Sequence, residues 1–375
     1  MIKRAYQTGI EQRLFKGKAI IILGPRQAGK TTLIEHIRQA RAEKSLLLNG
    51  DEPDIRELLS EANSERLRTI CADNQIICID EAQRIPNIGL TVKLFTDQIK
   101  EKQVIVSGSS ALHLNSLISE PLTGRKYEYT LLPLSFAEMC DYHGLLSERR
   151  LLEHRLIYGY YPEIVVKTGE EKELLKLLSD SYLYKDILSM GEIKKPVVLE
   201  KILQALALQI GSEVSYNELG QLLGINKNTV EKYIDLLEKA FVVFRLPAFN
   251  RNVRNEIKKG RKIYFFDNGI RNAVIRNFNL LALRNDIGAL WENFLISERK
   301  KYLLINGKDN RAFFWRTTQQ QEIDYIEERG GELNAYEFKW AAQKRIKIPL
   351  TFQKAYQPAS TQLITRTNFD SFLGV

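Results

Sequence analysis

Residues 20–32, IIILGPRQAGKTT, constrain this chain more than any other stretch. An apolar run from Ala19 to Leu23 reads as a buried strand. Gly24-Pro25-Arg26-Gln27-Ala28-Gly29-Lys30-Thr31 follows it and satisfies G-x-x-x-x-G-K-[ST], and the pattern from Thr32 to Arg41 is helical. Strand, glycine-containing loop and helix in that order are the setting in which backbone N–H groups converge on a phosphate. Gly24 and Gly29 allow the tight fold, and the helix N-terminus adds its dipole. Lys30 brings a charge to the β- and γ-phosphates, and Thr31 a hydroxyl to Mg²⁺. Gly24, Pro25, Arg26, Gln27, Ala28, Gly29, Lys30, Thr31 and Thr32 are therefore the expected nucleotide contacts, with ATP and Mg²⁺ as cofactors.

A chain of 375 residues exceeds the ~250–300 residues at which single cores stop growing, so two or three domains are expected. The first residues, MIKRAYQTGIEQRL, lack the apolar centre of a signal peptide, and no apolar run approaches ~18 residues. The expectation is a cytoplasmic protein that does not enter a membrane. Cys71, Cys78 and Cys140 have no C-x-x-C spacing and read as buried or idle thiols. His36, His113, His143 and His154 are scattered, against a His/Cys zinc site. The net charge of +9 permits contact with nucleic acid without establishing it.

Residues 75–83, QIICIDEAQ, read as a parallel strand delivering two carboxylates to its C-terminal edge, where open α/β sheets bind ligands. After a P-loop, Asp80 is expected to hold Mg²⁺, largely through its water, and Glu81 to orient and activate the attacking water. Another short strand, residues 102–110, ends in Ser107-Gly108-Ser109-Ser110. Ser109 or Ser107 is a candidate contact to the γ-phosphate or attacking water, or else a cap for a helix beginning near Ala111. Arg125 either stabilises transition-state charge, from its own or a neighbouring subunit, or is an ordinary surface arginine.

GPRQAGKTT, IICIDEAQRIP, VIVSGSS and LTGRKYEYTLLPLSFAE, in that order, resemble the AAA-type ATPases that carry an uncharacterised C-terminal domain, the DUF4143 proteins of archaea and bacteria. YGYYPEIV, SYLYKDIL, KIYFFDNGIRNAV and FWRTTQQQEIDYI also resemble that family, so the likeness covers nearly the whole chain. One departure is Tyr160, where many relatives have a second glycine. The resemblance implies a helical lid behind the ATPase core, which matches the helical periodicity of Leu151, Leu152, Leu156, Leu174, Leu175, Leu177, Leu178, Tyr182 and Ile187. A plain helical linker would show the same pattern.

Leu199, Ile202, Leu203, Leu206 and Ala207 mark one helix, and Tyr216, Leu219, Leu222 and Leu223 a second. After the turn Gly224-Ile225-Asn226, the seam Val230, Ile234, Leu237, Phe241 marks a third. That spacing is helix-turn-helix, and residues 241–246 supply a wing strand. Lys227, Asn228, Glu231 and Lys232 would face outward to read or clamp DNA, although Glu231, Asp235 and Glu238 would repel phosphate. A basic run comes next, with Arg251, Arg254, Lys258, Lys259, Arg261 and Lys262 set against a single Glu256. It is a phosphate-backbone candidate or a solvated linker.

In the C-terminal part, a helix over residues 288–301 carries Glu292 near its start. Residues 321–328 and 332–340 read as strands joined by Gly330-Gly331. Counting outward from Arg329 opposite Glu332 sets Asp324 against Glu337 and Glu322 against Lys339, all on one face. Ile323, Tyr325, Tyr336 and Phe338 then line the other. Facing carboxylates repel unless a cation offsets them. D…E-x-K on adjacent strands resembles the PD-(D/E)xK nucleases, and the DUF4143 likeness points the same way. That resemblance implies a metal held by Glu292, Asp324 and Glu337, with Lys339 assisting the attacking water. The plainer alternative is a solvent-facing strand pair with a Glu322–Lys339 salt bridge.

The expected fold class is α/β, in four parts. Residues 1–145 form a P-loop, AAA-type ATPase core and 146–195 a helical lid. Residues 196–250 form a winged helix-turn-helix and 251–375 an α/β domain resembling restriction endonucleases. The expected site set is Glu81, Lys30, Ser109, Arg125 and Lys339 for catalysis, with Thr31, Asp80, Glu292, Asp324 and Glu337 for metal. The expected function is Mg-dependent ATP hydrolysis coupled to DNA binding or processing. The alternative is a nucleotide-dependent switch whose inactive nuclease-like domain binds a protein partner.

Overall fold

The computed structural model describes residues 2–61, 63–109, 122–180, 196–250, 260–308, 310–341 and 348–375. The helix expected near Ala111, Tyr182 and Ile187, and the basic residues Arg251, Arg254, Lys258 and Lys259, lie outside them. The described chain falls into two compact units, one formed by residues up to Pro133 and the other by most of the chain from Leu134 onward.

The first unit is built on five parallel strands: β1 (Ala19–Leu23), β2 (Ser45–Asn49), β3 (Ile76–Asp80), β4 (Gln103–Gly108) and β5 (Lys126–Thr130). Their order is β2-β3-β4-β1-β5. Every residue of β1, β3 and β4 is buried. The strands read as unbroken apolar runs because each face has its own core. Ala19, Ile21, Leu23, Ile77, Ile79, Val104 and Val106 pack on one side with Val92 and Phe95. Ile20, Ile22, Ile76, Cys78 and Ile105 pack on the other with Leu33, Ile34 and Ile37. Helix α1 (Lys30–Gln39) starts one residue later than the loop motif's glycine, and α2 (Ile88–Gln98) lies across the first face. All three cysteines are free and buried, and burial pushes the Cys78 thiol up to about 12.

The boundary between the two compact units falls at Pro133/Leu134. The backbone after Pro133 is bonded to later parts of the chain. Leu134 N–H donates to Tyr160 C=O (3.0 Å), Phe136 N–H to Glu298 (2.7 Å), and Lys301 Nζ to Leu134 C=O (2.9 Å). Helices at Phe136–His143, Leu145–Arg150, Leu152–Tyr158, Pro162–Val166 and Glu171–Leu178 lie within this second unit. It also contains residues 193–238 and 242–375.

Next in the second unit come α3 (Pro196–Leu208), β6 (Glu213–Val214), α4 (Tyr216–Leu223), α5 (Lys227–Lys239), β7 (Val243–Pro247) and β8 (Arg261–Phe265). The three strands form an antiparallel sheet of order β6-β8-β7. Leu199, Ile202, Leu203, Leu206 and Ala207 are buried as the periodicity predicts, as are Val230, Ile234 and Leu237 on α5. Phe241 is not part of that seam, since α5 ends at Lys239 and Phe241 has a left-handed backbone (φ 58°). Leu222 is exposed, because α4 turns only Leu219 and Gly220 fully inward.

Helix α6 (Ile287–Ile305) precedes a second sheet, β9 (Arg311–Arg316), β10 (Glu322–Arg329), β11 (Glu332–Phe338) and β12 (Ser360–Ile364), in the order β12-β11-β10-β9. The β10–β11 turn is the predicted one. Gly330 and Gly331 both have positive φ (59° and 86°), the geometry of a two-residue hairpin turn, and Arg329 pairs with Glu332. The count outward holds to Tyr325 opposite Tyr336. Beyond that the predicted face breaks. The β9–β10 register shifts between Ile323 and Ile326, a bulge at residues 324–325. Ile323 is thereby turned to pack with Ile326, Ala335, Phe313 and Phe352, whereas Tyr325, Tyr336 and Phe338 gather around Phe372.

Candidate functional site

The loop after β1 is held by close backbone approach. A Cβ on Gly24 would stand 2.0 Å from the Leu131 carbonyl oxygen, so only glycine lets the chain pass there. Gly29, with φ 92°, caps α1 in the left-handed region. Arg4 ties the loop down, donating to the carbonyls of Ala28 (2.5 Å) and Leu132 (2.7 Å). Lys30 is buried, and its Nζ donates to the carbonyls of Gly24 (2.9 Å) and Pro25 (2.8 Å), so its charge sits inside the loop's curve. Arg26 is half-buried, and Gln27, Thr31 and Thr32 are exposed.

The acids of β3 meet this loop. Thr31 Oγ1 donates to Asp80 Oδ2 at 2.6 Å, which brings together the two side chains expected on Mg²⁺. Asp80 is buried; its other oxygen accepts from Ser107 Oγ and from Glu81 N–H (3.0 Å). A hydroxyl and a carboxylate in contact beside a phosphate loop are hard oxygen donors of the kind Mg²⁺ takes with a nucleotide, so the residues present fit that ion.

Glu81 has a left-handed backbone (φ 49°), which a non-glycine residue adopts only at a cost of about 1–3 kcal/mol and which clusters at functional sites. Its carboxylate accepts from Gln83 Nε2 (2.6 Å), and the same nitrogen reaches Ser109 Oγ (2.9 Å). Because β4 lies between β1 and β3, Ser107 near its end is bound to Asp80, and Ser109, just beyond it, joins Glu81 through Gln83.

Arg125 is not brought to this edge. It immediately precedes Lys126, which pairs with Ala19 at the start of β1, whereas the loop leaves β1 after Leu23, opposite Thr130. Five strand residues, about 16 Å at 3.3 Å per residue, separate the two ends. Arg125 instead pairs with Asp97 at 2.6 Å. That register sets Arg125 at the end of β5 away from the loop.

In the second unit, the face expected to hold a metal is organised differently. Lys339 Nζ lies 3.3 Å from Glu337 and 3.8 Å from Asp324, so those three do come together. Asp324 Oδ2 also accepts from Phe338 N–H at 2.7 Å, a side chain taking the place of a ladder bond at the bulge. Burial, and then the adjacent Asp324 carboxylate, push the Glu337 carboxyl up to about 8. The expected Glu322–Lys339 pair is absent: Glu322 goes to Lys262 (2.5 Å), with Arg316 at 3.8 Å. Glu292 also binds Lys262 (3.1 Å), and the Tyr264 hydroxyl donates to it. Lys262, part of the basic run read as a phosphate-backbone candidate or a solvated linker, is 1 % exposed. Burial opposes its charge, but Glu292 and Glu322 outweigh that and hold the ammonium above its ordinary range. Among the described residues, no three His, Cys, Asp or Glu side chains form a group that could hold a metal ion. Glu292, Asp324 and Glu337 therefore do not fit a shared metal in this arrangement.

Arg4 and Gln83 were not visible as site residues in the sequence, although Gln83 lies two places after the acidic pair; Lys262 was read only as part of a basic run, not as a partner of Glu292 and Glu322.

Residues 16–140 match a family model described as an AAA domain, and residues 287–373 one described as a domain of unknown function, DUF4143. These matches support a P-loop ATPase with a DUF4143 domain. Between them, residues 149–281 match a further domain of unknown function, DUF8612. An uncharacterised protein of Mycobacterium tuberculosis is 26% identical over 338 residues, covering 88% of this chain and 72% of that protein. An uncharacterised protein of Methanocaldococcus jannaschii is 24% identical over 336 residues, covering 77% of this chain and 70% of its own length. A Walker-type ATPase of Pyrococcus abyssi has a similar fold, with a TM-score of 0.50 at 14% identity over 73% of this chain and 96% of that one. Among the described residues, no helix is long and apolar enough to cross a membrane.

Proposed function

We propose that this chain hydrolyses ATP with Mg²⁺ at the loop of residues 24–31 and uses that turnover to act on DNA. The contact between Thr31 and Asp80, with Glu81 directly after the end of β3, carries the hydrolytic reading. Mg²⁺ bound with ATP supplies positive charge at the β- and γ-phosphate oxygens. The chain's own residues do the rest. Lys30 leaves the Gly24 and Pro25 carbonyls for the phosphates, Thr31 and Asp80 hold the ion, and Glu81 takes the proton of the attacking water. Ser109 and Gln83 set the direction of the Glu81 carboxylate.

The DNA reading rests on α4, the turn after it and α5, backed by the β6-β8-β7 sheet, an order of elements that supports a winged helix. Lys227, Asn228 and Lys232 are exposed on α5. The acids that would repel phosphate are compensated: Arg245 bridges Asp235 and Glu238, and Arg261 stands 3.6 Å from Glu231. A second reading, a nucleotide-dependent switch whose nuclease-like domain binds a partner without cutting, is favoured by the lysine seated among that domain's acids.

ATP turnover by the parent, Lys30→Ala and Glu81→Gln chains, with and without duplex DNA, tests the proposal. The expected result is turnover that rises with DNA and disappears in both variants. Turnover indifferent to DNA, with no retention of DNA dependent on Lys227 and Lys232, would leave the hydrolytic site standing and overturn the DNA part.

A further inference from the structure

We infer that Lys262 is the resident counter-cation of the acid cluster on β8, α6, β10 and β11, and that this cluster accordingly takes no divalent metal. Lys262 and Tyr264 alternate on β8, so both side chains leave the same face of the strand. There the ammonium bridges Glu292 of α6 and Glu322 of β10, at 3.1 and 2.5 Å, with the Phe314 ring 5.4 Å away. It fills the space between one carboxylate from the helix and one from the sheet, which an ion would otherwise occupy. Lys339 takes the other two acids, Glu337 and Asp324, and Arg316 stands 3.8 Å from Glu322. Each of the four carboxylates thus has a cationic nitrogen within 4 Å.

The oxygens a metal would need are also engaged. Glu292 Oε1 receives both the Lys262 ammonium and the Tyr264 hydroxyl, and Asp324 Oδ2 receives the Phe338 N–H. An ion entering between Glu292 and Glu322 would have to displace an ammonium that is 1 % exposed, or share the space with it. Removing one partner of a buried ion pair leaves an uncompensated charge, which is far more costly than the pair itself. The ammonium therefore holds its place as part of the fold. This inference is independent of the reading of the phosphate loop.

The test is Mn²⁺ titration of the full nucleotide-free chain, with free ion counted by its paramagnetic resonance. Any ion held at the loop is identified by its loss in Asp80→Asn. For the parent, Glu292→Gln and Glu337→Gln should leave the number of bound ions unchanged. Lys262→Met, which removes the charge but keeps most of the side-chain volume, should gain one Mn²⁺ site that the parent lacks. Adding Glu322→Gln should abolish the gained site. A parent ion that disappears in Glu292→Gln or Glu337→Gln overturns the inference, and so does a folded Lys262→Met chain that gains nothing. If Lys262→Met does not fold, the comparison of the parent with Glu292→Gln and Glu337→Gln decides alone.

Discussion

Gly50→Ala should impair ATP turnover although residue 50 needs to touch neither nucleotide nor metal. Gly50 comes directly after β2, and its N–H donates to the Asp80 carbonyl at 2.8 Å. A Cβ built there would stand 2.5 Å from the Glu81 carbonyl oxygen, 3.1 Å from its carbon and 3.2 Å from the Asp80 carbonyl oxygen. All three are backbone atoms, so no side chain can swing away. Reaching even 3.0 Å from the first requires about 0.5 Å of displacement, and the peptide that must move joins Glu81 to Ala82, next to the acidic pair. Overpacking of this kind costs roughly 1–3 kcal/mol. Misplacing catalytic groups by about 1 Å costs up to ~10²-fold in rate, so half that shift should lower kcat by roughly tenfold. Nucleotide affinity, set by the loop of residues 24–31, should stay within about threefold, since the loop itself is untouched. Steady-state hydrolysis, a fluorescent-nucleotide titration and a thermal melt separate these quantities. A variant with kcat within twofold of the parent and an unchanged melt would refute the claim that Gly50 sets the position of the acidic pair.

Gln83→Ala removes the bridge between Glu81 and Ser109, and is expected to lower kcat by about tenfold while KM stays nearly constant, as for a group that positions a catalytic carboxylate. A KM rise with kcat intact would argue instead for a binding role. Arg125→Ala should leave turnover unchanged at protein concentrations where the chain is monomeric and cost no more than ~1 kcal/mol, the range of a part-exposed ion pair. A large loss of kcat that depends on protein concentration would place Arg125 in a neighbouring copy's site. Glu337 gives a pH dependence whose sign is set by its raised carboxyl. The folded chain keeps a proton that the unfolded chain releases above its ordinary 4.5, so this contribution is full below about 4.5 and is lost as pH rises through about 8. Thermal melts of the parent should fall across that window, and Glu337→Gln should flatten the fall; an unchanged slope would show that Glu337 is not its source.

Much of the nucleotide site was legible because its signals are local. The run Ala19–Leu23, the spacing from Gly24 to Thr31 and the carboxylates closing β3 are each read within a dozen residues. The Gly330–Gly331 turn fixed the start of the β10–β11 register for the same reason. The features that escaped depend on partners distant in sequence. Arg4 reaches a carbonyl 128 residues away, and Lys262 finds Glu292 and Glu322 across two further elements. The bulge at 324–325 arises from pairing with β9, so a count along β10 and β11 alone could not reveal that Ile323 changes sides. Arg125 reads as an arginine in a polar loop; only the parallel register of β5 with β1 shows which edge of the sheet it occupies.

The ammonium of Lys262 differs from a bound ion in one further respect: it is covalently tethered and cannot be diluted, chelated or exchanged. The Thr31–Asp80 pair, by contrast, would on the proposed function be completed only by an ion drawn from solution together with its nucleotide. Depletion of divalent cations should therefore silence one end of this chain while leaving the charge balance of the other as it was. A loss of both functions in a chelator would then report dependence of the second on the first, rather than two metal sites.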